Sequence, residues 1–173
     1  MLRRTWLPVL PVLLVLVGSA FTPAADAQPS PSNTTTAGAR STAITTYDFE
    51  ARLLTLTNQR RARVGCGAMV RNVPMVRAAR GHSSRMAYAR QLSHRLSGEA
   101  YFSTRIVRAG YTPWRILAEN IAWGSPSPTI IFNSWMRSAM HRQNIDNCRL
   151  RDIGLGVSYG GGYAWVTMDL GHH

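Results

Sequence analysis

Apolar positions three and four apart open the readable part of the chain. From Tyr47 to Val64, the residues Phe49, Leu53 and Leu56, followed a turn later by Arg60 and Val64, share one face, and Gly65 supplies the stop; this predicts an amphipathic helix. A second helix is expected to begin at Pro74, capped by Asn72 or Val73, and to run to about Gln91. Its apolar face carries Met75, Ala78, Ala79, His82, Met86 and Ala89. A short helix over Ser103–Ala109 closes at Gly110, and another starts at Pro128, the first helical position after Ser127, and reaches about Arg137. The period then changes. Ile153–Tyr159 and Tyr163–Leu170 are β-branched and aromatic runs around Gly160-Gly161-Gly162, which predicts an antiparallel hairpin. Helices first and strands last make this an α+β domain whose helices cover a small sheet.

One stretch raises a chemical question. "LAENIAWG", residues 117–124, sets Glu119 and Asn120 among Leu, Ala, Ile and Trp. A buried ionised carboxylate is costly unless something pairs with it, so Glu119 must have a partner.

The N-terminal segment stands outside the domain. A basic start at Arg3-Arg4, an apolar stretch from Trp6 to Val17 and the small residues of Ala25-Asp26-Ala27 read as a secretory signal peptide over 1–27. Residues 28–46 are Ser/Thr/Pro-rich with almost no large apolar side chain, the composition of a disordered leader. Residues 47–173 form the domain. No later apolar run approaches the roughly 20 residues that cross a bilayer, so a secreted, soluble mature chain without a transmembrane segment is expected.

Charge and cysteines sharpen this picture. The chain has no Lys, so its 20 basic residues are all Arg, against 8 acids. Without Arg3, Arg4 and Asp26 the exported chain keeps a net charge of +11, which attracts anionic surfaces. Nucleic acid is not the expected partner, because export removes the opportunity and no aromatic-interleaved or recognition-helix signature is present. Cys66 and Cys148 are the two cysteines. In an oxidising compartment a lone pair most simply forms one disulfide, the alternative being two buried thiols.

Among the histidines, His82 falls on the apolar face of the second helix and reads as a packing residue. His94, in "QLSHRLSG", lies just beyond that helix, and His141, in "SAMHRQNI", follows another helix end. With Glu119 they form a His/Glu/His set that no short motif holds together.

The stretches "LLTLTNQRRARVG", "AARGHSSRMA", "LSH", "RIVRAGY", "AENIAWG", "WMRSAMHRQNI" and "IGLGVSYGGGYAWVTMDLG" occur in the order seen in the CAP superfamily. These are the cysteine-rich secretory, antigen 5 and pathogenesis-related 1 proteins, whose shared module is the SCP domain, and the chain most resembles their bacterial secreted branch. The resemblance implies an α-β-α sandwich with a small antiparallel sheet between helical layers. It also implies a cleft lined by two His and two acids. His94, Glu119 and His141 match three of these. The fourth position carries Ser138, three residues after Trp135, so the second acid is missing; Glu99 is a candidate substitute. Two His and a carboxylate suit a divalent metal such as zinc, the alternative being a hydrogen-bonded polar cluster. Asn120, Arg142 and Asn144 are expected to support the site. Trp114, Trp123, Trp135 and Trp165 are expected mostly in the core, with Tyr111 or Trp114 available as a cleft rim. Taken together these features favour a non-catalytic binding module for a small ligand, a lipid or a cell-envelope component, over a metal-assisted hydrolase of peptide or envelope polymer.

Overall fold

The computed structural model describes residues 44–173; the expected signal peptide and the leader through residue 43 lie outside them. The first helix, α1 (Thr46–Arg63), starts one residue before the expected domain boundary because the Thr45 side chain caps it by accepting from the Asp48 N–H. Its buried face is Phe49, Glu50, Leu53, Thr57 and Arg61. That stripe differs from the expected one. Arg60 turns outward to Asp146, Val64 is exposed, and Arg61 is the arginine that goes inside.

The second helix, α2 (Val73–Ala89), takes Asn72 as its cap, the side chain accepting from the Met75 N–H, and ends at Arg90 in the left-handed conformation. Next come α3 (Phe102–Arg108) and α4 (Pro128–Arg137), the latter with the expected bounds. The hairpin is also as expected: β3 (Asp152–Gly160) pairs antiparallel with β4 (Tyr163–His172), closing at Gly160 opposite Tyr163.

Three elements were not foreseen. β1 is the two-residue Val70–Arg71, parallel to β3; β2 is Ile116–Gly124, antiparallel to β4; and α5 is Ala139–Asp146. The sheet order is β1-β3-β4-β2; the parallel β1–β3 pair makes the expected antiparallel sheet a mixed one, and β2 lies on an edge. His141 therefore sits inside a helix rather than in a loop after one.

Helices cover both faces of this sheet, giving the α-β-α sandwich. On one face α1, α4 and the sheet enclose the main core around Phe49, Leu53, Ile131, Trp135, Ile153 and Val166. On the other, α2 lies so close to β3 that a Cβ at Gly154 or Gly156 would collide with the helix backbone at Met75 and Ala79–Arg80. The Ser83 hydroxyl uses that closeness, lying 2.9 Å from the Gly156 carbonyl and 2.8 Å from Thr167 Oγ1. Cys66 and Cys148 are joined, with Cα atoms 4.9 Å apart. The bridge spans 82 residues, a closure that stabilises the fold by about 4 kcal/mol in the chain-entropy account.

Candidate functional site

Strand periodicity explains why adjacent polar residues in β2 do different work. Leu117 and Ile121 pack toward α2 and α3, whereas Ala118 and Ala122 join the core on the α1 and α4 face. Glu119 follows the first set and Asn120 the second. Because β2 is an edge strand, connections from both layers reach it.

Glu119 is buried, and each of its oxygens has a partner. Oε1 lies 2.7 Å from His94 Nδ1, and Oε2 accepts from the guanidinium of Arg105 on α3. The Arg105 side chain is itself mostly buried and also donates to the His94 carbonyl at 3.0 Å and the Ala100 carbonyl at 2.9 Å. One arginine thus neutralises Glu119 and fixes the loop that carries His94. An imidazole nitrogen facing a carboxylate acts as the donor, so Nδ1 holds a proton and Nε2 points away from Glu119. The His94 side chain is 54% exposed, so the dyad presents that nitrogen to solvent.

Asp169, to which no sequence motif pointed, stands directly across from Glu119 in the β2–β4 register. It is 1% exposed, and neither carboxyl oxygen accepts a hydrogen bond from a donor group among the described residues, which leaves Glu119 as the acceptor for its own proton. Burial pushes its pKa well above the usual carboxylate range and the nearby Glu119 charge adds to this, while Arg105 opposes it. Two carboxyls in such a setting do not both ionise readily. The second acid near Glu119 therefore comes from β4, not from the Ser138 position.

This has a measurable consequence. In the unfolded chain Asp169 ionises near its ordinary value of about 3.9, but in the fold it holds its proton to higher pH. The unfolded state then binds fewer protons, and wild-type stability falls as pH rises from about 4 toward the raised folded pKa. Asp169→Asn removes that slope. Urea unfolding across a pH series is expected to show the variant gaining on wild type above about pH 4; a difference that stays constant with pH would refute the assignment.

Glu99 is buried and pairs with His82 instead of His94. It lies 3.0 Å from His82 Nδ1, while His82 Nε2 points to the Ser93 carbonyl at 2.9 Å. Its remaining cations are Arg85 and Arg105, at 3.7 and 3.8 Å. His82 is fully buried as expected, within a polar pair rather than a purely apolar face.

On the opposite face Asn120 organises α5. Its amide donates to the His141 carbonyl at 3.0 Å, and its oxygen accepts from Asn144 at 2.9 Å. Arg142 donates to the Met136 carbonyl at 2.9 Å, bracing the α4–α5 corner. Ser138 is the α5 cap, its hydroxyl accepting from the His141 N–H. The position that lacks the acid thus has a structural task. The His141 ring is half-buried, and burial followed by the His94 charge lowers its pKa.

The aromatic expectations divide. Trp135 and Trp165 are buried and donate to the Ile121 and Gly160 carbonyls. Trp114 and Trp123 are exposed at 42% and 48%, because both sit where the sheet edge meets solvent at the ends of β2. Tyr111 is buried and donates to Asp152 at 2.7 Å, so it forms no rim.

The arrangement fits a hydrogen-bonded cluster better than a zinc centre. Among the described residues no group of three or more His, Cys, Asp or Glu side chains gathers in a way that could hold a metal ion. Glu119 has no free oxygen, and a fixed guanidinium already places positive charge on it.

Comparison with known proteins agrees with this fold. The model of the cysteine-rich secretory protein family matches residues 54–170. The Bacillus subtilis (strain 168) protein YkwD, itself described as uncharacterized, is 27% identical over 140 residues, which cover 80% of this chain and 52% of that protein. The chain therefore spans about half the length of that relative. An extracellular SCP-domain protein from Bacillus anthracis str. Ames superposes with a TM-score of 0.68 at 22% identity, over 74% of this chain and 41% of that one. An outer surface protein from Borrelia burgdorferi gives 0.69 at 16% identity, over 75% of this chain and 96% of its own. With the family model matched across both helical layers and the whole of β2 and β3, the chain belongs to the cysteine-rich secretory protein, or CAP, family.

Proposed function

We propose that this protein is exported and works as a non-catalytic binding module for a small ligand, a lipid or a cell-envelope component. The observation that carries the reading is the double engagement of Glu119 by His94 and Arg105. A carboxylate whose two oxygens already accept hydrogen bonds, one of them from a fixed guanidinium, must give up or share those bonds to take a proton or hold a cation. The descriptions of similar proteins as extracellular or outer-surface support export. Between α1 and α4 a groove of about 310 Å³, lined by Leu56, Phe132 and Met136 together with Gln59, Arg60, Arg63 and Asn133, offers both apolar and cationic contacts to an amphiphile.

The hydrolase reading keeps one supporting feature, the outward Nε2 of His94, which a Nδ1-bound carboxylate would orient in a hydrolytic dyad. Native mass spectrometry of the exported protein, with extraction and identification of co-purifying lipids, separates the two. A discrete bound species in wild type, together with no turnover of peptide or envelope polymer with or without added zinc, is the expected result. Turnover abolished by His94→Ala would overturn the binding reading in favour of hydrolysis.

A further inference from the structure

The groove between α2 and α3 has walls of arginine and a floor of very small residues. Arg77 and Arg85 rise from α2, and Arg105 and Arg108 from α3, around a space of about 340 Å³. The floor includes Gly81, Gly98 and Ala100. One acid, Glu99, reaches this groove, and it is buried and already shared among His82, Arg85 and Arg105. Arg105 is held by Glu119 and two carbonyls. Arg77 donates once, to the Ala109 carbonyl. Arg85 is exposed with only a 3.7 Å approach to Glu99, and Arg108 has no hydrogen bond or ion pair among the described residues. Three guanidiniums therefore keep unused donors directed from two sides of one space.

Gly81 gives a second and independent indication. A glycine inside a helix destabilises it relative to alanine. Neither backbone nor packing requires it here, because a Cβ at Gly81 would meet nothing within 4 Å. The volume that side chain would enter is the groove.

We propose that the α2–α3 groove is an anion site that binds a phosphate group. A carboxylate offers one plane of oxygens and is satisfied by one guanidinium fork, whereas tetrahedral phosphate oxygens accept from both walls at once. The groove shares Arg105 with the Glu119 pair, but its unused donors belong to Arg77, Arg85 and Arg108, so the inference goes beyond the function proposed above and does not depend on it. Two sources share this chemistry: free phosphate and the phosphodiester of a lipid headgroup.

The test uses the mature protein with inorganic phosphate in one arm, followed by NMR or calorimetry, and phosphatidylglycerol vesicles in the other, followed by sedimentation. The variants are Arg77→Gln with Arg108→Gln, which removes charge, and Gly81→Met, which fills the floor and keeps every charge. Arg137→Gln, at the end of α4, is the control for net charge. Loss of charge-assisted hydrogen bonds is expected to weaken binding roughly tenfold or more in the double variant. Gly81→Met is expected to weaken it comparably, and Arg137→Gln to leave it near wild type. Binding in the phosphate arm identifies the bare anion as sufficient; groove-dependent binding in the vesicle arm alone assigns the site to the lipid headgroup. Absence of binding in both arms overturns the proposal. So does equal weakening by Arg137→Gln, which would mean diffuse attraction, or indifference to Gly81→Met, which would place the anion elsewhere.

Discussion

Arg61→Met is expected to lose about 4 kcal/mol of folding stability, as much as opening the disulfide. The guanidinium is buried and spends its donors on four backbone carbonyls: Gly67 at 2.8 Å, Ile145 at 2.9 Å, Asn147 at 3.0 Å and Leu150 at 2.8 Å. Methionine keeps most of the apolar stem and donates to none of them. Each orphaned buried carbonyl costs about 1 to 3 kcal/mol. The Ile145 and Leu150 contacts are fully buried and bear that cost in full, while the contacts to Gly67 and Asn147 are partly open to water. The same segment is tied by the Cys66–Cys148 bridge and by Arg60 to Asp146 at 2.8 Å. Arg61→Met combined with Cys66→Ser/Cys148→Ser should therefore be non-additive, since both changes release the chain after α5. Chemical denaturation of the single and combined variants checks this; a loss under about 1 kcal/mol for Arg61→Met would mean that water replaces the guanidinium at all four carbonyls.

Arg61 also shows where a periodicity reading meets its limit. A helical stripe locates the buried face to within a residue, and Phe49 and Leu53 lie where the period puts them. The next turn offers Arg60, Arg61 and Arg63, and composition alone does not say which one goes inside. The choice depends on carbonyls of residues 145–150, more than 80 positions away, and no local pattern carries that information. The same holds for β2. Its nine residues alternate polar and apolar poorly, because Glu119 and Asn120 are both buried, one on each face of an edge strand. Period-2 alternation fails where both faces of a strand are covered.

The site was legible to a similar depth. Family resemblance singled out His94, Glu119 and His141; the structure puts the first two in contact, while the His141 ring makes no hydrogen bond to either among the described residues. Side-chain chemistry marked Asn120, Arg142 and Asn144 as supports, and each bonds within or onto the α4–α5 region. Arg105 and Asp169 were not singled out. In a chain whose basic residues are all arginine, one more Arg on a short helix carries no signal. Asp169 falls in "VTMDLG", an apolar strand segment like the one around Glu119. Applying the question asked of Glu119 to every carboxylate in an apolar run would have found it, since burial without a partner is physically anomalous.

The second large effect is expected from Arg105→Met, about 3 to 5 kcal/mol, the usual cost of removing one partner from a buried ion pair. Glu119 would keep its contact with His94 but lose its permanent cation, with Asp169 still opposite. Glu119→Gln alone should cost less, because a carboxamide oxygen can still accept from Arg105 and its neutral charge relieves Asp169. In the Arg105→Met background Glu119→Gln should restore stability, giving a coupling term of opposite sign to the first loss. That rescue should not extend to the loop. Arg105 holds the His94 and Ala100 carbonyls independently of Glu119, so amide exchange across residues 94–100 should stay accelerated in both Arg105→Met backgrounds. Simple additivity in the cycle would show that Glu119 is not held as a charged partner of Arg105. The binding reading would then lose its central observation, and Glu119 would again be available for chemistry.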